Sequence, residues 1–401
     1  MKKIIYILLT NILLLYMLTG CWDSREVSDL AIAGAISIDS SENGYLVSVQ
    51  LINPGEIAFG ASTSRTAITT YHTKAETIFE ALRKLTLKTP QKVYLAHVRV
   101  IVIGEELARQ GIGKVLDLFL RDHEIRSDFY IVIAKGSKAK EVLDVITPLE
   151  KIPAIKLFSS LEISSKAWAE TTVTQLDDVI ASITSDGKNA VITGVYVKGD
   201  YKEGMDISNV EKVEAPATIQ ITSSSVFKGD KLVGWLRTPE SKGYNYIIGE
   251  VSNTVFSVFC EENTDAGKLT VELLRTKSSI KGKVESGVPS INVELVAEAN
   301  IGEVACDVDL SKPETITKFE KKISKQIKKV MVESVQMAQN VFKSDIFGFG
   351  EAIHRADPKE WKKLKKNWSM DFAKLEVNIK VDAKIRRIGT ITESYQGDIK
   401  E

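Results

Sequence analysis

The chain has 401 residues, 44% hydrophobic and 26% charged, and its 53 Lys and Arg balance 53 Asp and Glu. That composition is ordinary for globular protein, and the length implies two or three domains with substantial cores. A net charge of zero gives no global field to recruit nucleic acid or anionic lipid, and three cysteines are too few for a disulfide framework.

In chain order the first element is an export signal. Lys2 and Lys3 precede an apolar run from Ile4 to Leu18 that only Thr10 and Asn11 interrupt. Such a run is shorter than the roughly 20 residues a membrane-spanning helix needs. It closes in Leu18-Thr19-Gly20-Cys21, which resembles the lipobox of bacterial prolipoproteins. Leu18 suits an apolar protease subsite, Thr19 and Gly20 are small enough for a cleavage groove, and Cys21 supplies the thiol. Cys21 is therefore the expected lipidation site, with a diacylglyceryl thioether holding the chain to a bilayer. The alternative is an ordinary secretory signal whose cleavage site precedes a cysteine. On this reading residues 1–20 are a signal peptide and 21–30 a lipidated tether. The mature chain has 381 residues, 51 basic against 53 acidic, for a charge of −2.

The body reads as a mixture of α/β and α+β architecture: three domains of mixed sheets with covering helices. The first, 31–150, opens on an apolar strand from Ala31 to Asp39. A turn at Asn43-Gly44 leads to the alternating strand Tyr45–Leu51. Residues 55–70 read as a loop, and Thr73 with Glu76 as a capping box opening a helix through Ile78, Leu82 and Leu85. Strands at Val98–Ile103 and Phe129–Ile133, each followed by a helix, predict a parallel pair. Residues 151–188 read as a helical connector. A small middle domain, 189–252, carries a hairpin from Ile219 to Leu236 turning at Lys228–Lys231. The last domain, 253–395, is α+β. Ile291, Val293, Leu295, Ala297, Ala299 and Ile301 share one strand face. A long helix follows from Ser311-x-x-Glu314, striped by Phe319, Ile323 and Ile327, and Leu375–Ile385 is a final strand.

The chemistry of the residues points away from catalysis. The sequence lacks a G-x-S-x-G elbow, an H-E-x-x-H, a C-x-x-C and a Walker-type loop. Gly348-Phe349-Gly350 follows a helix rather than a strand and reads as a turn. His72, His97, His123 and His354 lack metal-ligand spacing, and His97 beside an apolar strand reads as structural. Cys260 and Cys306 read as buried free thiols, a bridge being the alternative. Arg121, Asp122, Glu124 and Arg126 read as an ion-pair network at a helix end. The lysines at 321–329 and 362–366 read as solvated faces, with anionic headgroups as the alternative contact. No catalytic, cofactor-binding or metal-binding residue is assigned; Cys21 alone carries a chemical role.

Several blocks together resemble one family. Cys21-Trp22-Asp23-Ser24-Arg25-Glu26-Val27 is similar to the run after the lipobox in the Ger(x)C spore-germination lipoproteins, the C subunits of nutrient germinant receptors. Ile38-Asp39, the stretch His97 to Ala108, Arg121-Asp122 and Glu124-Ile125-Arg126 continue it. Val226 to Leu236, Lys343 to Gly350, and Trp361 with Trp368 extend it to the end. Ser37 and Ala96 stand where the family often has glycine. The resemblance implies a three-domain lipoprotein on the outer face of the spore inner membrane, partnered with integral-membrane A and B subunits and devoid of catalysis. A solute-binding lipoprotein of a transporter would share the anchor, but should show two similar lobes around an apolar cleft.

Overall fold

The computed structural model describes residues 3–6, 29–57, 65–261 and 267–388. Runs of alternating or β-branched residues become thirteen strands among these, divided between two sheets. The first sheet takes β1 (Leu30–Ser41), β2 (Gly44–Ile52), β3 (Ile68–Ala75), β4 (Lys92–Tyr94), β5 (Val100–Gly104), β6 (Tyr130–Ala134), β7 (Val191–Gly199), β8 (Ala217–Lys228) and β9 (Lys231–Trp235). Its order is β3-β2-β1-β5-β6-β7-β8-β9, with β4 beside β1. The β1–β5, β5–β6 and β6–β7 pairs are parallel, so the expected parallel pair belongs to a longer parallel centre.

Helices α1 (Ile78–Lys84), α2 (Glu105–Gln110), α3 (Gly113–Arg121), α4 (Ala139–Asp144), α5 (Pro153–Ala167) and α6 (Leu176–Thr184) connect these strands. Two separate cores show that the sheet is covered on both faces. Ile101, Ile103, Leu116 and Phe129 lie in one, and Val100, Val102, Leu143 and Leu157 in the other. Parallel strands buried on both sides account for the near-continuous apolar runs at 100–104 and 130–134.

Two local expectations change. Thr73 does not cap a helix but sits buried in β3, where it pairs with Val47. The run Ile68–Ala75 completes a hairpin edge, and the cap moves to Thr77, whose Oγ1 accepts from Glu80 N at 3.1 Å. The pattern Thr-x-x-Glu occurs twice in this stretch, and strand pairing selects the second. The single helix expected after β5 breaks into α2 and α3 at Gly111, whose φ of 133° lies outside helical backbone.

The second sheet has β10 (Thr254–Phe259), β11 (Lys268–Glu285), β12 (Val288–Val304) and β13 (Glu376–Arg387) in that order. Its inner face is the predicted one: Ile291, Val293, Leu295, Ala297, Ala299 and Ile301 are all buried. They pack under α7 (Thr238–Ile248) and α8 (Pro313–Gln336), the latter through Phe319, Ile323 and Ile327. Ser311 does not cap α8, because its hydroxyl bonds Asp309 instead. The long helix carries the chain back so that β13 lies parallel to β12. Two backbone N–H groups on the outer side of β13, at Ala383 and Ile385, are taken by Ser324 Oγ and Glu320 Oε1 of α8. That blunts a strand edge open to further pairing.

The segment expected to form a middle domain has no sheet of its own. Strands β7 to β9 continue the first sheet, while Tyr244, Tyr246 and Ile247 of α7 sit in the core of the second. The physical reason is that β6 would otherwise present an unpaired edge. It is closed at Ile133↔Gly194 and Ala134↔Val195, and by Lys135 N donating to Val195 O.

The reading of two free thiols also changes. Cys260 and Cys306 form a disulfide, bringing the end of β10 against the chain just beyond β12 across 46 residues of sequence. Both are buried, in keeping with a bridge inside the second core. Reduction should therefore lower the unfolding free energy by roughly 2–4 kcal/mol, read as a fall in the urea midpoint. A Cys260→Ser, Cys306→Ser double variant should sit at the reduced midpoint and ignore the reductant.

Candidate functional site

Cys21, the one residue given a chemical role, lies outside the described residues, as do Trp22 to Ser28. Within the described residues no group of three or more His, Cys, Asp or Glu could hold a metal ion. The histidines stay apart. His97 is exposed and meets Tyr94 edge-on, and His354 stacks beside Trp361. His72 and His123 are exposed on β3 and in the turn after α3. Partial desolvation of the ring and the nearby Lys140 and Lys88 hold the His72 imidazole below its usual range.

A cleft of about 730 Å³ lies at one rim of the first sheet. Its walls come from Tyr45, Phe79 and Arg83 on one side and Lys114, Arg121 and His123 on the other. The expected ion-pair network at this rim is dispersed. Arg121 binds Asp117 at 2.8 Å, Glu124 binds Lys92 at 2.6 Å and Arg126 binds Asp128 at 2.8 Å. Asp122 accepts from Glu124 N. A helix offers a partner four residues back, and Lys92 comes from a neighbouring strand, so Arg121, Glu124 and Arg126 form ion pairs with residues outside the group.

The most elaborately built polar site is Asp345, which is 2% exposed. A widened last turn, Met337–Phe342, extends α8 and ends at Lys343, with a left-handed φ of 48°. The chain then folds round the next carboxylate. Asp345 Oδ1 accepts from the backbone N–H of Phe347, Gly348 and Phe349 at 3.0–3.1 Å, and Oδ2 from Gly350 N at 2.8 Å and Trp368 Nε1 at 2.9 Å. These bonds set the start of α9 (Phe349–Ala356) and hold Trp368, the first residue of α11 (Trp368–Phe372). Between them lies α10 (Pro358–Leu364). The Gly348-Phe349-Gly350 turn is therefore a cradle for a protein carboxylate. Gly350 admits no side chain there: a Cβ would lie 2.6 Å from Trp361 and from Gly187.

Around this cradle the two sheets are fastened together. Asp345 O accepts from Asn189 N at 2.7 Å, and Ser344 Oγ donates to Phe227 O at 2.6 Å. Ser185 Oγ bonds Glu351, and Lys365 pairs with Asp186 at the surface. Asp345 is saturated with donors and has no open coordination for a substrate, so its chemistry is that of a clamp. Asp39 does the same at smaller scale. It is buried at the end of β1, and its two oxygens accept from Ala139 N at 2.7 Å and Lys140 N at 2.9 Å. Burial pushes its carboxyl above the usual range.

Sequence reasoning passed over Asp345 because an isolated aspartate carries no periodic signal. The small residues three and five places after it were the available cue. The lysine clusters are partly engaged: Lys322 bonds the carbonyls of Phe259 and Cys260, and Lys363 pairs with Glu360.

Comparison with known proteins returns one theme. A model described as the spore germination protein N-terminal domain matches residues 23–196, and one described as spore germination B3/GerAC like, C-terminal, matches 222–389. The chain is 32% identical over 393 residues to spore germination protein KC of Bacillus subtilis (strain 168), covering 96% of each. It is 27% identical over 390 residues to spore germination protein B3 of the same organism, covering 94% of this chain and 96% of that one. Among solved structures it is similar to the GerBC protein, with a TM-score of 0.53 and 20% identity, covering 87% of this chain and 96% of that one. At that identity the likeness is one of fold.

The clamp makes two predictions. Buried donors stripped of an acceptor cost about 1–3 kcal/mol each, so Asp345→Ala should lose on the order of 3–5 kcal/mol after partial relaxation, read by urea unfolding. Burial also carries the Asp345 carboxyl from 3.8 up to about 6 against its five donors. The folded state then keeps a proton that the unfolded chain releases, so this group's contribution to stability grows as pH falls from about 6 towards 3.8 and is least above 6. Unfolding midpoints measured across that window should show this component in the native chain and lack it in Asp345→Asn.

Proposed function

The chain belongs to the GerAC-like family of spore germination proteins, and from that premise we infer that it is a subunit of a germinant receptor serving spore germination. It acts at a membrane in complex with other receptor subunits. The observation that carries this is the end-to-end match at 32% identity, with 96% of both chains covered.

The finer reading is that Cys21 bears the lipid and holds the folded body to the outer face of the spore inner membrane. There it assembles with the integral-membrane A and B subunits through its surfaces rather than by catalysis. No helix among the described residues is long and apolar enough to cross a membrane. The built carboxylates, Asp345 and Asp39, are both spent on holding backbone. A transporter's solute-binding lipoprotein is disfavoured by shape. The two sheets are unequal and are fastened around Asp345, rather than forming two similar lobes about a hinge.

Metabolic labelling with a radioactive fatty acid should mark the native chain and leave Cys21→Ala unmarked; equal labelling of the two would sink the anchor. Solubilised spore membranes should yield the native chain together with polytopic partners, and recovery of the chain alone would count against the receptor assembly.

A further inference from the structure

We propose that the turn between α1 and β4 is a second membrane contact, with Leu87 as an apolar tip entering a bilayer of anionic headgroups. The inference rests on the Cys21 anchor and adds to it an orientation for the folded body.

The geometry begins at the point where the tether meets the fold. β1 starts at Leu30 and pairs in parallel with β4 through Leu30↔Lys92, Ala31↔Val93 and Ile32↔Tyr94. The turn that ends at Lys92 therefore sits beside the entry of the tether, at the amino ends of the parallel strands. Eight residues separate Cys21 from Leu30, and an extended chain over that span reaches at most about 30 Å. A lipid on Cys21 thus keeps this end of the sheet near the bilayer.

The turn itself is shaped to present one side chain. Leu85 is fully buried and pins it to the core, while Leu87, two residues on, is 84% exposed. Lys88 N and Thr89 N both bond Leu85 O, and Thr89 Oγ1 bonds Gln91 O at 2.8 Å, so the exposed leucine stands on a hydrogen-bonded loop. Cations surround it. Arg83, Lys84, Lys88 and Lys92 fall between residues 80 and 92, where Glu80 is the one acid, and Asp122 and Glu124 line the same concavity as Thr86 and Lys92. Lys84 pairs with Glu80 and Lys92 with Glu124, while Lys88 bonds only the His72 carbonyl by its ammonium, so the surplus around Leu87 is positive. An apolar tip within a cationic collar fits acyl chains beneath phosphate groups, and the covalent tether raises its effective concentration at that surface. Two attachments at one end would leave the carboxyl ends of the parallel strands, where Val213 stands fully exposed, turned away from the bilayer.

The test uses the full lipidated chain, in which a Leu87→Cys variant carries the single free thiol because Cys260 and Cys306 are bridged. A polarity-sensitive fluorophore on residue 87, and separately on a Val213→Cys variant, is read on vesicles of equimolar phosphatidylcholine and phosphatidylglycerol containing doxyl-labelled lipid. The expected result is quenching several-fold stronger at 87 than at 213, weakening on pure phosphatidylcholine or in high salt. Equal quenching of the two positions on vesicles with which the protein floats overturns the contact while sparing the anchor. Quenching at 87 that arises only when integral-membrane subunits are reconstituted assigns the turn to a protein partner and also overturns it. A chain that does not float at all overturns the anchor, and this contact with it.

Discussion

The carboxylate of Asp345 is the constraint on which the joining of this molecule depends. Five donors converge on it inside a core that water does not reach. A charge so placed is tolerable only while every donor is held in register, so it dictates the path of 345–350 and the seat of Trp368. That path brings Ser344 to Phe227 and Asp345 O to Asn189, coupling the end of α8 to the β8 strand of the other sheet. Trp361 and Trp368 then pack edge to face over Gly350. The seam it organises continues through Val191 and Val226, which sit in the core of the second sheet, and through Ser224 N donating to Ser241 Oγ.

The blocks that carry the family resemblance meet in space. Asp39 at the end of β1 grips the start of α4. Glu105, opening α2, accepts from Trp235 of β9 at 3.1 Å. Phe227 of β8 receives the Ser344 hydroxyl. Segments far apart in sequence are thus the two halves of single hydrogen bonds, and their chemistry is structural.

The two ends of the first sheet differ accordingly. The amino ends of its parallel strands gather the start of β1 and the turn at Leu87. The carboxyl ends gather Asp39, Glu105 and the loops after β6 and β7. Parallel strands enforce this polarity, because every connection must return the chain to the same end before the next strand begins.

Periodicity alone determined the alternating faces of β12 and β13, the stripe of α8 and the β8–β9 hairpin, since burial on one side writes a local pattern. It indicated a parallel pair from the double-sided apolar runs, while the family came from the resemblance of quoted motif blocks taken in order. Pairing decided the rest. Thr73 became strand rather than helix cap because β2 needed a partner on its outer edge. Residues 191–235 joined the first sheet because β6 did, and Cys260 met Cys306 because β10 and the end of β12 lie two strands apart in one sheet. Asp345 was invisible for the same reason: its meaning lies in five donors brought to it by the fold, and no spacing along the chain encodes a convergence in space.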